Sequence, residues 1–503
     1  IFRRFTEANI FRTQEFKNKS FRTNLKFDGN LNEDTSYQLV IQNNQKSLDY
    51  KYLNDLSLSK IINALNINSS GDCLVGGNCR ALNIFTNSRT LQTNPLDGIT
   101  KEAFEYIRKD LTLKGDQSNN LINLSFFRNF LYSDSFLEST KVVLGFERRE
   151  LKSIKNPISD FSDGVGQQYF HSQSYSTNKI NQFFVQTEFE LISNLDLITS
   201  LRYSDNSFAK DDLTYDFGFV FPFGDSFTIK GSHQKSSRAP NFHELLVDEK
   251  RLRLLPGRDP CNGSTPSYSQ SQCQLLGLDP SLYGSVDNEA QLFIKDKGNL
   301  NLDSEEAYSN SLSIEYINDG LNAEMIFYEI KMSNQISQIE FDSILTRCVE
   351  SLDASSEWCG YVNRALDGSF SSSGGYISSP FYNISSFKTE GIDFNLNYSM
   401  NTMLGEIGLS NFTNILLKKN YQESASELKR NCKGTYLLGN SDGLCYQPSP
   451  KFQNILSISL KKPTFGFDSE YNLTHRFIDS LKGFSYQNTN NNLPFKKMEY
   501  FDF

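Results

Sequence analysis

Residues Ser311 to Ile330 read SLSIEYINDGLNAEMIFYEI, and polar and apolar positions alternate along both halves. Leu312, Ile314 and Tyr316 share one face against Ser311, Ser313 and Glu315, the two-residue period of a strand. Asn318-Asp319-Gly320 predicts a tight turn, because these residues tolerate positive φ. The return arm sets Leu321, Ala323, Met325 and Phe327 against Asn322 and Glu324. The same phase recurs elsewhere. Phe183, Val185 and Phe189 oppose Gln182, Gln186, Glu188 and Glu190, and Leu195, Leu197, Leu201 and Tyr203 oppose Asp196, Ser200 and Arg202. Leu213, Tyr215, Phe217 and Phe219 share a face, as do Ile392, Phe394, Leu396 and Tyr398 opposite Asp393, Asn395 and Asn397. Alternation alone fits a soluble sandwich with a buried apolar face or a membrane barrel with that face in lipid.

Connection lengths separate the two. The pattern predicts about 16 strands, each within the ~9–11 residues that cross a bilayer at a tilt or slightly beyond. Short turns are expected near Asp28–Asp34, Tyr132–Ser135, Ser193-Asn194, Phe223–Asp225, Asn318–Gly320, Met400–Leu404 and Lys461–Thr464. Between them fall long connections near Asn43–Asn119, Leu151–Thr177, Ser237–Glu306, Ser333–Ser385, Lys418–Pro448 and Phe477–Asn492, with Asp205–Asp211 the one short exception. Long and short connections therefore leave opposite ends of the sheet, the pattern of an all-β, antiparallel up-and-down transmembrane barrel with long exterior loops. The apolar set Phe183, Val185, Phe189, Leu195, Leu197, Phe217, Phe219, Ile314 and Phe394 is expected to face lipid.

The eight cysteines fall as close pairs in four of the long connections: Cys73/Cys79, Cys261/Cys273, Cys348/Cys359 and Cys432/Cys445. No pair is CxxC and the chain has 4 histidines, so zinc spacing is absent. Local, even-numbered pairs predict structural disulfides in an oxidising compartment.

Composition supports the barrel. Hydrophobic residues make up 38% of the 503, with 41 Phe and 24 Tyr against 1 Trp, which suits aromatic girdles more than an aliphatic core. No apolar run is long enough for a membrane helix. A net charge of −9 argues against nucleic acid as a partner. The FHELL stretch at Phe242–Leu246 has half of an HExxH motif but Val247 in place of the second histidine, and no GxSxG, phosphate-binding or dinucleotide motif occurs, so no catalytic residue, metal site or cofactor is expected. One helix is predicted at Gly98–Leu111, with Ala103, Ile107 and Leu111 on one stripe. The opening IFRRFTEANI has neither initiator Met nor signal layout, and the tail stops as a strand begins, which predicts a piece of a longer chain.

Several blocks, in order, carry a resemblance: Cys79-Arg-Ala-Leu-Asn-Ile-Phe85 followed by GITKEAFEYI, Lys141-Val-Val-Leu-Gly-Phe-Glu-Arg-Arg149, Ser236-Ser-Arg-Ala-Pro240 with Asn241-Phe-His-Glu244, Gly298-Asn-Leu-Asn-Leu-Asp-Ser-Glu305, and Lys388-Thr-Glu-Gly391-Ile-Asp393. These resemble the TonB-dependent receptors of the Gram-negative outer membrane. Ala81, Leu300 and Ser304 stand where that family usually has proline. The resemblance implies a partial barrel over residues 1–503 of a ~22-strand whole, without plug or closing strands. It also implies TonB-energised uptake of a scarce small-molecule, saccharide or peptide ligand, with outer-membrane lipid and the TonB complex as partners. A passive porin or a surface adhesin barrel is the alternative.

Overall fold

The computed structural model describes residues 11–85, 90–131, 137–164, 169–191, 194–254, 259–287, 291–372, 374–422, 429–438, 447–464, 467–485 and 494–503. Fifteen strands form one antiparallel meander: β1 Thr13–Asn30, β2 Thr35–Leu56, β3 Arg108–Leu131, β4 Leu137–Pro157, β5 Ser174–Leu191, β6 Leu195–Asn206, β7 Asp212–Phe223, β8 Phe227–Arg238, β9 Glu305–Asn318, β10 Leu321–Gln338, β11 Tyr376–Thr402, β12 Gly405–Gln422, β13 Phe452–Thr464, β14 Phe467–Ile478 and β15 Met498–Asp502. Each pairs with its neighbours in chain order. This is the up-and-down arrangement the alternation predicts.

The register explains the two faces. Directly opposed residues share a face, so Phe27, Leu39, Leu124, Phe146, Phe183, Tyr203 and Leu213 form one continuous outer row across seven strands. One residue along, Lys26, Val40, Asn123, Glu147, Gln182, Ser204 and Asp212 form the inner row. Side chains on the outer face stand free of any core: Phe183 is 56% exposed, Phe217 47% and Ile314 45%. The predicted outward set keeps to one side of the sheet.

The Asp319-Gly320 turn takes φ of 43° and 79°. A Cβ on Gly320 would also lie 2.4 Å from the Ser399 carbonyl, so the position admits glycine on two grounds. The expected turns at Tyr132–Ser135 and at Ser193 lie outside the described residues. Lys461–Thr464 is strand rather than turn, because Lys461 to Thr464 pair in register with Glu470 to Phe467.

Most strands are longer than expected. β6 to β8 and β14, at 12 residues, are slightly beyond the ~9–11 that cross a bilayer, as expected, but the others of β1–β14 run longer, up to 27 in β11. The connection expected from Asn43 narrows to 57–107, because the ladder continues through amide-rich segments in which Asn43 donates to Asn120 at 2.5 Å. The predicted helix is also shorter. Helix α2 spans Lys101–Ile107, capped by the Thr100 hydroxyl on Ala103 N–H, and Arg108 already pairs with Leu56 in the sheet.

The apolar cores sit in the long connections rather than in the wall. Helix α1 (Leu58–Leu65) and α2 enclose Ala64, Leu82, Ile99, Ala103, Phe104 and Ile107 in the 57–107 connection. The larger core is shared by two connections, 239–304 and 339–375. It buries Cys261, Leu276, Ile294, Phe341, Ile344, Cys348, Phe370 and Ile377 together. Helices α3 (Phe242–Leu246), α4 (Gln270–Leu275) and α5 (Phe341–Ser351) belong to these two connections.

Candidate functional site

The long connections build a cap over one end of the wall, and below it a cleft of about 440 Å³ opens on the inner faces of β5 to β8. The cap is rigid by construction. Disulfides join Cys73–Cys79, Cys261–Cys273 and Cys348–Cys359, all within single connections. The fourth expected pair, Cys432–Cys445, lies outside the described residues at Cys445; Cys432 itself is buried.

Arg364 and Asp259 form a fully buried ion pair in the shared core, with side chains 2% and 1% exposed. The guanidinium donates to both Asp259 oxygens at 2.7 and 2.9 Å, to the Gly368 carbonyl at 2.7 Å and to the Leu276 carbonyl at 3.1 Å. It also lies 4.1 Å from the centre of the Phe370 ring. Every charge here has a fixed partner, which is the condition for tolerating burial.

A second group at the cap surface joins Glu357 to the hydroxyls of Tyr361, at 2.6 Å, and Tyr382. Those two donors hold the Glu357 carboxyl below the usual range, and burial followed by the bond to Glu357 pushes the Tyr382 hydroxyl well up. Where 169–173 meets β4 and residue 249, Glu249 accepts from Lys155 and lies 3.4 Å from His171 Nδ1. Burial pushes the Glu249 carboxyl up, but hydrogen bonds from His171 and Lys155 outweigh it and hold it below the ordinary value.

Two of the blocks that carried the resemblance, Ser236–Glu244 and Gly298–Glu305, clamp cap to wall. Arg238, at the top of β8, grips Glu244 with both terminal nitrogens (3.1 and 2.9 Å) and Glu305 with Nε (2.6 Å). Glu244 also closes the capping box of α3 with Asn241, and Glu305 accepts the Ile336 N–H at 2.8 Å. Glu244 thus serves a joint and not the half-motif of a metalloprotease. Gly298 passes so close to the Leu245 carbonyl that a Cβ would lie 2.4 Å from its oxygen. Gly145 and Gly391 each sit under an aromatic ring from the adjacent strand: a Cβ would fall 2.0 Å from Phe184 Cζ and 2.3 Å from Tyr328 Oη.

The cleft itself has residues that pattern reading did not single out. Phe184 breaks the alternation, lying on the inner face with Gln182 and Gln186, and Arg202 rests over its ring at 4.6 Å. Arg202 donates to the Gln182 carbonyl oxygen at 2.9 Å, and Gln182 donates to Ser204 at 2.9 Å. A ring out of phase on a polar face was the available signal. Among the described residues no three His, Cys, Asp or Glu side chains are placed to hold a metal ion, and no helix is long and apolar enough to cross a membrane.

A family model for the TonB dependent receptor-like beta-barrel matches residues 2–496. The chain belongs to the TonB-dependent receptor β-barrel family. Its fold is shared with the siderophore receptor PirA from Acinetobacter baumannii, at a TM-score of 0.55 and 14% identity over 97% of this chain and 56% of that one. It is shared too with the ferric enterobactin receptor PfeA from Pseudomonas aeruginosa, at 0.54 and 13% over 97% and 53%. This TonB-dependent receptor chain therefore spans about half the length of those structures. A comparison with curated protein sequences finds no match. The family and these neighbours are receptors and transporters, in the Gram-negative outer membrane.

Proposed function

We propose that this chain forms the wall and the exterior recognition surface of an outer-membrane receptor that takes up a scarce solute with energy delivered through TonB. The observation that carries the reading is the division of the sheet: an apolar outer row continuous across β1 to β7, a mainly polar inner row, and a disulfide-braced cap above a cleft on the inner side. An apolar outer row suits lipid, because a closed sheet satisfies its backbone groups internally and needs only apolar side chains outside. The cap suits selection, since rigid loops on a fixed scaffold hold recognition groups in place. Outer-membrane lipid and the TonB complex are the partners this reading names.

The test uses the natural receptor that contains this chain. Purified into planar bilayers, it should bind the periplasmic domain of TonB and show no steady conductance. A steady ion-conducting pore with no affinity for TonB would overturn the reading in favour of a passive porin.

A further inference from the structure

We propose that the cleft on β5 to β8 takes a neutral, hydroxyl-rich solute of the oligosaccharide class; this rests on the uptake reading above and adds the chemistry of the cargo. The argument begins with charge. Among the described residues, Lys210, Lys235 and Arg202 line the cleft and Arg238 stands beside it, and all but Arg202 are already quenched. Lys210 lies 2.6 Å from Asp303, Lys235 lies 2.9 Å from Glu306 and 3.7 Å from Asp212, and Arg238 is held by Glu244 and Glu305. The fourth, Arg202, has no ion-pair partner among the described residues. It is balanced by Asp216 on the next strand, which likewise has none and whose backbone pairs with Ser200 beside Arg202. The cleft thus presents no excess of positive charge to draw in an anion.

What remains is neutral and two-sided. Gln186, Ser200, Ser204, Thr214, Gln234 and Ser236 line the space, and every one of them both donates and accepts hydrogen bonds. That is the complement of a ring of hydroxyl groups, each of which also does both. Arg202 has five N–H donors and uses one on Gln182, so the others are available to ligand oxygens, while Asp216 accepts from paired hydroxyls. The geometry of Arg202 is fixed from two sides, by the Phe184 ring beneath it and by the Ser204–Gln182 relay alongside. Phe184 in turn is seated by the missing side chain of Gly145. The volume, about 440 Å³, lies within the range of small-molecule clefts.

Titration calorimetry on the detergent-solubilised natural receptor tests this with maltotriose, cellotriose and xylotriose, ferric enterobactin as the anionic probe, and triglycine as the zwitterionic one. At least one trisaccharide should bind with an affinity unchanged between low and ~1 M salt. Arg202→Ala and Asp216→Asn should each weaken it ~10-fold or more. Gln234→Leu, which leaves both charges in place, should weaken it as well and serves if a charge variant fails to fold by heat-modifiable gel mobility. Salt-sensitive binding of ferric enterobactin or triglycine in place of a trisaccharide, binding of no probe, or trisaccharide binding indifferent to all three substitutions would overturn the assignment. Uptake by whole cells keeps the two readings apart. Trisaccharide uptake that survives collapse of the proton gradient retains the solute class and sinks energised transport, whereas gradient-dependent uptake of ferric enterobactin alone does the reverse.

Discussion

Removing the carboxylate of Asp259 should open the cap without unfolding the wall. In Asp259→Ala the Arg364 guanidinium, 2% exposed, keeps its two carbonyl partners at Leu276 and Gly368 and loses both charge-assisted bonds. An uncompensated buried charge of this kind costs about 3–5 kcal/mol. The loss of the Cys261 N–H acceptor, now 3.0 Å from Asp259 Oδ1, adds to it. At ~1.4 kcal/mol per factor of ten, the shared core of 239–304 and 339–375 should open roughly 10²- to 4 × 10³-fold more often. Hydrogen exchange of amides in α5 and around Cys261 reads that change directly, while heat-modifiable gel mobility reports the wall. The double change Asp259→Leu with Arg364→Met leaves no charge behind, so it should open the cap less than Asp259→Ala alone. A single variant that exchanges within tenfold of the parent, or a double variant worse than the sum of its parts, would show that the pair is not what secures this core.

On the wall, Phe217→Arg should lower stability by about 2–4 kcal/mol in a bilayer, whereas Glu188→Gln, which breaks only a partly exposed pair with Lys141, should cost ~1 kcal/mol or less; urea unfolding in vesicles that reversed this order would reverse the facing of the sheet. Gly391→Ala should destabilise by about 1–3 kcal/mol by displacing Tyr328 from its 3.2 Å bond to Asn414, and Tyr328→Ala in the same chain should relieve the clash; equal melting of single and double variants would remove that explanation. Burial pushes the Asp163 carboxyl up, but hydrogen bonds from Ser57, the Ser59 backbone and Lys109 outweigh it and bring it to about 2. The folded value is the lower one, so the contribution, about 2 kcal/mol, is present above pH ~4 and fades as pH falls toward 2; protease nicking of the 57–107 connection should rise over that window and not in Asp163→Asn. Non-reducing peptide maps should show Cys73–Cys79, Cys261–Cys273, Cys348–Cys359 and also Cys432–Cys445, each worth on the order of 2–3 kcal/mol to its loop, with crosslinks between different connections as the contrary result.

Alternation made the wall legible because one face is apolar and the other polar, so strands such as β7 and β11 repeat Phe, Leu, Ile or Tyr at every second residue near their tight turns. Farther along the strands both faces carry polar side chains, and the signal fades. Segments such as Asn43–Ser47 and Gln117–Asn119 read as loop, although their backbones continue the ladder beside the Asn43–Asn120 amide bond. The same loss of pattern let the helix at Gly98–Leu111 run on into β3, since Arg108 to Leu111 suits either state until Leu56 is placed beside it. The cysteines were legible as local pairs. Arg364 and Asp259 were not, because 105 residues of chain separate two ordinary charged side chains whose burial only the fold creates. The cleft was half legible: its glutamines and serines fall on the polar phase, and Phe184, out of phase among them, marks the place.

The sharing of one core by two connections sets an order of events in folding. The segments around Asp259 and Arg364 are joined through strands β9 and β10, so the loop that must be closed before they meet contains that whole hairpin of the wall. Closing so long a loop in a free chain carries an entropic penalty that the paired strands remove in advance. The core shared by 239–304 and 339–375 is thus expected to form late, after β8 to β11 have zipped. Disulfide formation can still run ahead, because each bridge closes 12 residues or fewer along the chain. A chain stalled in assembly would then be oxidised but uncapped, a state that thiol labelling would miss and that failure of antibodies to the folded cap to bind would reveal.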